Sequence, residues 1–303
     1  MNKSPSNNNS TKLTPYLSLF GLWALAFGCA VGQGAFLMPG GTFLPSAGPV
    51  GTAIGIALGV LVMFVLAKNY HLLMNRYPDS GGTYTYTKKC FGYDHGFLNA
   101  WFLILCYIAI LWANAIGLPF ILRSFFGSTF QFGFNYEIAG FHVWFGEILI
   151  VFAVLIIGAL ICLRRKLAEN VMIIMAVLLL VGVAVCFIAA LVGRDAEAPV
   201  FEPAFSKDNS PLLGIFTIFT LAPWAFAGFE SVSHSAAEAK FPLKKTFRVL
   251  VIALIASGAA YIMLALLSSM AQPEGAANWQ EYVDGLGTRF SEGVVRHPPF
   301  FVA

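Results

Sequence analysis

Hydrophobic residues form seven long runs along the chain, separated by short polar segments. Each run is long enough to cross the hydrocarbon core of a bilayer as an α-helix. The predicted spans are approximately Tyr16–Phe43, Val50–Ala67, Gly96–Leu122, Phe141–Leu163, Leu167–Val192, Leu212–Ala239 and Phe247–Met270. We therefore expect an all-α multi-span membrane protein.

The first run contains residues that weaken a helix. Gly28, Gly32 and Gly34 surround Gln33 near mid-membrane, and Pro39 follows. Each glycine costs about 1 kcal/mol in a helix relative to alanine, so the cluster predicts local unwinding. Unpaired backbone groups at that depth are tolerated where they line a cavity or contact a ligand. Close helix packing through the glycines is the alternative interpretation.

The sixth run carries a carboxylate at membrane depth. Glu230 lies within Ala222–Glu238, downstream of Pro223 and Gly228. Insertion scales put the cost of such a group at about 2.5–3.5 kcal/mol, and intramembrane carboxylates often belong to a substrate or ion path. The segment predicts a transport or gating role for Glu230. A structural role, in which the carboxylate binds free amides at a helix break, is compatible with it.

The other runs predict mainly structural roles. Gly51, Gly55 and Gly59 recur every four residues, which is typical of a close helix–helix contact. Asn114 in the third run predicts a hydrogen bond to a neighbouring helix, and Glu147 in the fourth is expected to reach the outer interface. The fifth run, free of charge from residue 171 to 192, and the seventh are expected to be supporting helices.

Composition and charge indicate the membrane and an orientation in it. Hydrophobic residues make up 58% of the 303 and charged residues 11%, with a mean hydropathy of +0.76. Soluble domains carry about 25% charged residues. If the N-terminus is inside, thirteen of the 18 lysines and arginines lie on the inner side. This bias predicts a cytoplasmic N-terminus.

The ends of the chain differ in character from its middle. The polar residues 1–14 are expected to form a disordered cytoplasmic tail, followed by a transmembrane domain over 15–270. Residues 271–303 are expected to form an outer loop leading to a missing eighth helix, with Trp279 and Tyr282 at the membrane interface. A cleaved signal peptide is the rival interpretation of the N-terminal region.

Metal and disulfide chemistry find little support in the sequence. The five cysteines lack metal-ligand spacing and lie mostly inside apolar runs, so we expect neither a metal site nor a disulfide. His234 and Glu238 are four residues apart and share a helix face, but they are expected to be solvated or paired. The sequence contains no catalytic constellation, and we expect no enzyme.

Three motifs, taken in order, resemble those of the amino acid–polyamine–organocation superfamily. Gly32–Phe36 resembles its Gly-Ser-Gly-Ile/Val-Phe signature, with Gln33 in place of the usual small residue. Tyr77–Tyr86, followed by Cys90-Phe91-Gly92, resembles its Pro-x-x-Gly-Gly-x-Tyr-x-Tyr…Phe-Gly loop. Trp224–Ser231 resembles its Trp-x-Phe-x-Gly-x-Glu-Ser segment in the sixth helix. Together the motifs cover nearly the whole chain.

The resemblance implies a leucine-transporter-like inverted-repeat fold, here truncated to about seven transmembrane helices of twelve. Helices 1 and 6 would be broken and would run in opposite directions. The first five-helix repeat would cover about 15–193, and the second would start over about 211–270. Half-helix ends would then present amides to an anion and carbonyls to a cation.

The resemblance also implies a substrate site between the two breaks. Gln33 and Gly34 would serve a substrate carboxylate, and backbone carbonyls its ammonium group. Trp224 and Phe226 would close over the substrate. The implied substrate-binding residues are Ala30, Gly32, Gln33, Gly34, Trp224, Phe226, Ala227 and Gly228, and the gating or proton-coupling residues are Glu230 and Trp224.

The function that follows is secondary active transport of amino acids or related amines by alternating access, as symport or exchange, in the cell membrane. A carrier-fold sensor that binds without transporting is the alternative, and a channel is disfavoured because no polar stripe runs along a span. We expect no cofactor, although a coupling proton or sodium ion is possible. The expected partners are the small-molecule substrate and the lipid bilayer, without nucleic acid, and the oligomeric state stays open.

Overall fold

The computed structural model describes residues 15–138, 141–193, 201–270 and 278–284, and most of these residues are helical. The helices are α1 (Leu19–Ala30), α2 (Gly34–Met38), α3 (Leu44–Arg76), α4 (Thr83–Phe91), α5 (Tyr93–Phe126), α6 (Phe145–Cys162), α7 (Arg165–Val192), α8 (Pro211–Ala225), α9 (Thr246–Met270) and α10 (Trp279–Asp284). A π-helical turn, Pro39–Phe43, joins α2 to α3, and a 3₁₀ segment, Phe229–Glu238, follows α8. A shorter 3₁₀ turn, Leu243–Lys245, leads into α9.

Within these ranges, six helices are long and apolar enough to cross a membrane, and α1 is a shorter apolar helix. The protein is therefore a multi-pass, all-α membrane protein. The apolar side chains of α5, α6 and α7 are mostly exposed, whereas α3, α8 and α9 contribute much of the buried core. Exposure of this kind suits helices that border lipid, because lipid tails solvate apolar side chains.

The boundary between the first two predicted spans is a kink. Helix runs without a loop from Gly34 to Arg76, well past the predicted end at Ala67. The bend falls at Gly48, whose φ of 72° is accessible to glycine at little cost. An added Cβ there would lie 2.7 Å from Phe205 Cα, so glycine also lets the outer segment pack against the bend.

The fourth span begins later than the sequence predicts. Phe141–Trp144 form a strand, β2, which pairs antiparallel with β1 (Asn135–Ile138), so α6 starts at Phe145. Glu147 lies in the first turn of α6 and is only 1% exposed, although the sequence placed it near the water interface. Its carboxylate binds the Arg123 guanidinium of α5 at 2.6 and 2.8 Å.

The segment around Trp279 differs from expectation in one further respect. Trp279 is not at the lipid interface, because its ring is 1% exposed and its indole N–H donates to the Pro203 carbonyl at 2.9 Å. Lys207 N–H donates to the Gln280 side chain at 3.1 Å. The short helix α10 is thereby attached to the loop before α8. The Tyr282 side chain and residues 1–14, 271–277 and 285–303 lie outside the described residues.

At one end of the helical bundle, the chain before α1 pairs with the chain after the 3₁₀ segment. Tyr16 and Leu17 each donate a backbone N–H to the Glu238 carbonyl at 3.0 Å, and Lys240 N–H donates to Leu17 O at 2.9 Å. The Glu238 carboxylate pairs with Arg165 at 3.4 Å, as expected of a paired rather than a metal-binding group. Burial and the neighbouring Glu238 raise the pKa of Tyr16.

Glu169, near the N-terminal end of α7, is a buried carboxylate that the sequence analysis did not single out. It is 7% exposed and accepts the Ser18 backbone N–H at 2.7 Å. Because Ser18 is the N-cap of α1, a negative charge at this point suits the positive end of that helix. The fifth span thus does more than support its neighbours, since Glu169 binds the N-terminal end of α1.

The glycine ridge of the second span packs against α8. An added Cβ on Gly55 would lie 2.5 Å from Ile218 Cβ, and one on Gly59 would collide with Ala222. The close helix contact predicted from the spacing of these glycines is therefore present. It places α8, and the residues that follow it, directly against α3.

We expect Gly59→Ala to destabilise the protein, because α3 and α8 must separate to admit the methyl group. Overpacking of this kind costs about 1–3 kcal/mol. Gly182→Ala in α7 is the matched control, since an added Cβ meets nothing within 4 Å there. Thermal unfolding in detergent measures both variants. Equal midpoints would contradict the proposed contact.

Candidate functional site

Two interruptions of the helices meet in the middle of the structure. Residues 31–33 separate α1 from α2, and residues 226–228 separate α8 from the 3₁₀ segment. Gly228 has a φ of 97°, and an added Cβ would lie 2.8 Å from the Cys29 carbonyl oxygen. Only glycine can adopt this positive φ and also lie so close to the Cys29 carbonyl, so Gly228 allows the two interruptions to contact each other.

A cavity of about 680 Å³ lies between the interruptions. Its wall includes most of the residues that the resemblance implies for substrate binding. They are Ala30, Gly32, Gln33, Gly34, Trp224, Ala227 and Gly228.

Phe226 does not line this cavity. Its ring is 1% exposed and packs edge-on against Tyr261, with 6.1 Å between the ring centroids. Phe226 therefore packs behind Tyr261, which is the residue that lines the cavity.

Backbone groups of both polarities face this region. At the start of the helix that begins at Gly34, the N–H groups of Ala35, Phe36 and Leu37 donate to the Gly32 and Gln33 carbonyls at 3.0 to 3.3 Å, whereas the Gly34 N–H has no hydrogen-bond partner among the described residues. Helices α1 and α8 end in the same region with their C-terminal carbonyls. Helix dipoles place partial positive charge at the first kind of end and partial negative charge at the second. The arrangement can bind a ligand that carries both an anionic and a cationic group.

Some of these backbone groups already have partners. The Ala30 carbonyl accepts the Tyr261 hydroxyl at 3.2 Å, and the Trp224 carbonyl accepts the Ala227 N–H at 3.0 Å. A carbonyl oxygen has two lone pairs, so that of Ala30 retains one acceptor site, whereas the Trp224 carbonyl also receives the Phe226 N–H. The Gln33 N–H donates to the Asn114 side chain at 3.2 Å.

Trp224 covers the start of the second helix. The Cη2 atom of its ring lies 3.3 Å from the position of an added Cβ on Gly34, and the side chain is 52% exposed. A side chain at residue 34 would therefore compete with the indole for the same space. Gly34 keeps the helix terminus accessible, and Trp224 forms the adjacent wall.

Glu230 braces the second interruption. Its carboxylate accepts the Gly228 N–H at 2.9 Å, which satisfies an amide that the left-handed turn leaves free. Glu230 is not among the cavity-lining residues, whereas Ser231 is, and the Ser231 hydroxyl lies 3.3 Å from Cys29 Sγ. The structural role considered for Glu230 is thus present in the geometry.

Three polar residues of the site come from spans that the sequence analysis treated as supporting. Tyr107 and Asn114 from α5 and Tyr261 from α9 all line the cavity. Asn114 does bond to a neighbouring helix, as predicted, but its partner is the backbone of the first interruption. A tyrosine or asparagine within an apolar run was the available signal, since such groups need a partner at membrane depth.

Apart from Gln33, Ser231, the Cys29 thiol and these three side chains, the lining is apolar. Among the described residues that form the cavity wall there is no Asp, Glu, Lys, Arg or His. The described part of the chain also holds no group of three or more His, Cys, Asp or Glu side chains that could bind a metal ion. The site therefore offers backbone dipoles, hydroxyl and amide groups, and apolar surface.

The family profile that matches this chain and its curated relatives all describe permeases or transporters. The family profile described as "Amino acid permease" matches residues 17–289. The branched-chain amino acid permease of Bacillus subtilis is 27% identical over 263 residues, which cover 83% of this chain and 54% of that protein. The methylthioribose transporter of Bacillus subtilis is 27% identical over 282 residues, covering 90% and 59%.

A third relative is the L-methionine/branched-chain amino acid exporter of Escherichia coli, 26% identical over 208 residues, which cover 67% of this chain and 44% of that protein. The chain thus spans about half the length of the curated relatives it matches. Because the family profile covers most of the chain, the assignment rests on the whole described domain. The chain belongs to the amino acid permease family, within the superfamily that its three motifs resemble.

Proposed function

We propose that the chain binds a neutral amino acid between its two helix interruptions. We further propose that it forms the substrate-binding part of a secondary transporter that works by alternating access. The observation that carries the proposal is the meeting of helix ends of opposite polarity at one cavity. The leucine-transporter-like inverted repeat, implied by the resemblance, is the architecture that we propose around this site.

In this proposal, the substrate carboxylate lies at the N-terminus of the helix that begins at Gly34. This helix end carries partial positive charge, and the Gly34 N–H is the amide without a partner there among the described residues, because those of Ala35, Phe36 and Leu37 bind the Gly32 and Gln33 carbonyls. The ammonium group lies against the Ala30, Trp224 and Ala227 carbonyls, of which that of Trp224 already receives two N–H groups. The backbone thereby recognises the part that all amino acids share, without a charged side chain in the wall.

The wall around these groups favours an apolar substrate side chain. Leu37, Met38, Ile110 and Ala113 provide apolar surface, and the described lining contains no charge to pair with a cationic or anionic side chain. An unpaired charge in such a pocket would lose several kcal/mol of solvation, on the order of the penalty for burying an ion. Two relatives whose names specify branched-chain amino acids support the same class.

Alternating access requires that the inner connections open. The pairing of Tyr16 and Leu17 with Glu238 and Lys240 closes the inner side around the ends of α1 and the 3₁₀ segment. Release toward the cytoplasm would break these hydrogen bonds. Trp224 is the proposed gate beside Gly34, and the charge distribution supports a cell-membrane protein with a cytoplasmic N-terminus.

Uptake by proteoliposomes tests the proposal. We expect radiolabelled leucine, isoleucine or methionine to accumulate above protein-free vesicles, and excess unlabelled leucine to compete. Lysine and glutamate should compete at least about tenfold more weakly, a difference of about 1.4 kcal/mol. Binding of leucine without uptake would contradict transport and favour a binding or sensing role. Absence of binding would contradict the site itself.

A further inference from the structure

Four cationic side chains lie near the end of α3 and the start of α9. Lys68 belongs to α3 and Arg248 to the first turn of α9. Lys244 and Lys245 form most of the short 3₁₀ turn that leads into α9. All four side chains are exposed, and together they are called the basic cluster below.

Hydrogen bonds attach the start of α9 to α3. The Nδ1 atom of His71 lies 2.6 Å from the Thr246 hydroxyl oxygen, and the Asn75 amide donates to the Leu243 carbonyl at 3.1 Å. His71 and Asn75 are four residues apart and therefore share one face of α3. The 3₁₀ turn thus has a fixed position beside this face.

Lys68 lies one turn before His71 on the same face of α3. Its ammonium group lies 5.0 Å from the centre of the Phe247 ring, a cation–π contact between the two helices. Phe247 is the neighbour of Arg248 in the chain. The cation of α3 and those at the start of α9 therefore belong to one surface.

Within the ranges that the structure describes, no carboxylate forms an ion pair with the basic cluster. The ion pairs there involve Arg123, His142 and Arg165 instead. The first turn of α9 also contains no acidic residue. Four neighbouring positive charges repel one another, and those at the start of α9 are also opposed by the helix dipole. An anion bound among them would relieve this repulsion.

An exposed apolar stripe on α3 leads to Lys68. Leu61 and Val65 lie seven and three residues before Lys68, on the same side of the helix. Their side chains are 58% and 63% exposed. In a bilayer this stripe borders the acyl chains of the lipid, with the Lys68 ammonium at its end.

Helix α9 repeats the arrangement. Ile252 and Ile255 follow Arg248 by four and seven residues, and both are more than half exposed. The two helices pack closely, since an added Cβ on Gly258 would lie 2.5 Å from Val60 Cγ2. Neighbouring helices thus carry two apolar stripes, each of which ends at the basic cluster.

We propose that the basic cluster and the two stripes form a binding site for an anionic phospholipid. The phosphate lies between the Lys68 ammonium and the cations at the start of α9, and the acyl chains follow the stripes. Charge complementarity selects the headgroup, and the stripes match a ligand that carries chains. The site is separate from the substrate cavity and goes beyond the proposed function.

The predicted orientation places the site in the leaflet that carries anionic lipids. With a cytoplasmic N-terminus, this end of the bundle faces the cytoplasm. A lysine or arginine near such a surface contributes about 1 kcal/mol of attraction. A zwitterionic phospholipid offers the same chains without the net charge, so the site should distinguish the two headgroups.

Native mass spectrometry of the detergent-purified protein measures this preference. Dioleoyl phosphatidylglycerol and dioleoyl phosphatidylcholine have the same chains and differ in headgroup charge. We expect the first phosphatidylglycerol to bind at least about fivefold more tightly than phosphatidylcholine, or about 1 kcal/mol. Glycerophosphoglycerol, which is the headgroup without chains, should not displace it even in large excess.

A triple variant, in which Lys68, Lys245 and Arg248 are replaced by glutamine, tests the cluster itself. Glutamine keeps a polar side chain but removes the charge. The affinity for phosphatidylglycerol should fall at least about fivefold, or about 1 kcal/mol. The affinity for phosphatidylcholine should be unchanged, and size-exclusion chromatography checks that the variant remains folded.

The matched control replaces Lys89, Arg164 and Lys166 by glutamine. These are also two lysines and one arginine, exposed at the same end of the bundle. The control should keep its preference for phosphatidylglycerol. Equal losses in the two triple variants would overturn the site, because general surface charge would then explain binding. Equal affinity of the unsubstituted protein for both lipids, or displacement by the headgroup alone, would overturn it as well.

Discussion

Replacing Gly34 by leucine is expected to lower the affinity for a neutral amino acid by more than about 100-fold, or about 2.7 kcal/mol. An added Cβ alone would lie 3.3 Å from the Trp224 ring. The rest of a leucine side chain would therefore displace the indole or fill the cavity. It would also block the approach of a carboxylate to the Gly34 N–H at the start of the helix, which is the binding interaction that we propose.

Equilibrium binding of radiolabelled leucine to purified protein measures this effect. Gly158→Leu, in α6, is the matched control, because an added Cβ at Gly158 meets nothing within 4 Å. The control should bind leucine as the unsubstituted protein does, and both variants should remain folded by size-exclusion chromatography. A folded Gly34→Leu variant with normal affinity would show that substrate does not bind at this helix terminus.

Replacing Arg123 by alanine is expected to destabilise the protein by about 3–5 kcal/mol, the cost of leaving a buried charge unpaired. Glu147 is 1% exposed and receives two hydrogen bonds from Arg123. The guanidinium also binds the His142 carbonyl, so it joins α5, α6 and the β1–β2 hairpin. Unfolding by denaturant in detergent measures the loss.

Two comparisons make this result specific. Arg165→Ala removes the ion pair with Glu238, in which the two side chains are 47% and 19% exposed, and should cost at most about 1 kcal/mol. Adding Glu147→Gln to Arg123→Ala should restore part of the stability, because the unpaired charge is then gone. Equal losses for Arg123→Ala and Arg165→Ala would contradict the importance of the buried pair.

The positions of the helices can be predicted from the sequence because the two signals that define them, apolar runs and clustered glycines, are local. Apolar runs define spans, and the glycines around Gln33 and at Gly228 weaken a helix within a few residues. The same local rules misplace two boundaries. Gly48-Pro49 has the composition of a turn but forms a kink, and the apolar strand β2 looks like the start of a helix.

The composition of the site was harder to foresee. Residues at the interruptions could be named because the motifs are contiguous. Tyr107, Asn114 and Tyr261 contribute through the packing of distant helices, and single polar residues in separate spans carry no information about which partner they meet. The burial of Phe226 against Tyr261 depends on the same packing. The rotation of each helix about its axis determines which neighbours these four residues meet. A nearly all-apolar run has no periodicity from which that rotation could be predicted.

The central claim is that substrate binds between the two interruptions, and photolabelling tests it most directly. A diazirine analogue of leucine, bound to the protein in nanodiscs and activated by light, marks the residues that it touches. Mass spectrometry should find the label on residues 29–38 or 224–231, and excess leucine should prevent it. Labelling elsewhere in the described domain, with competition by leucine, would contradict the account.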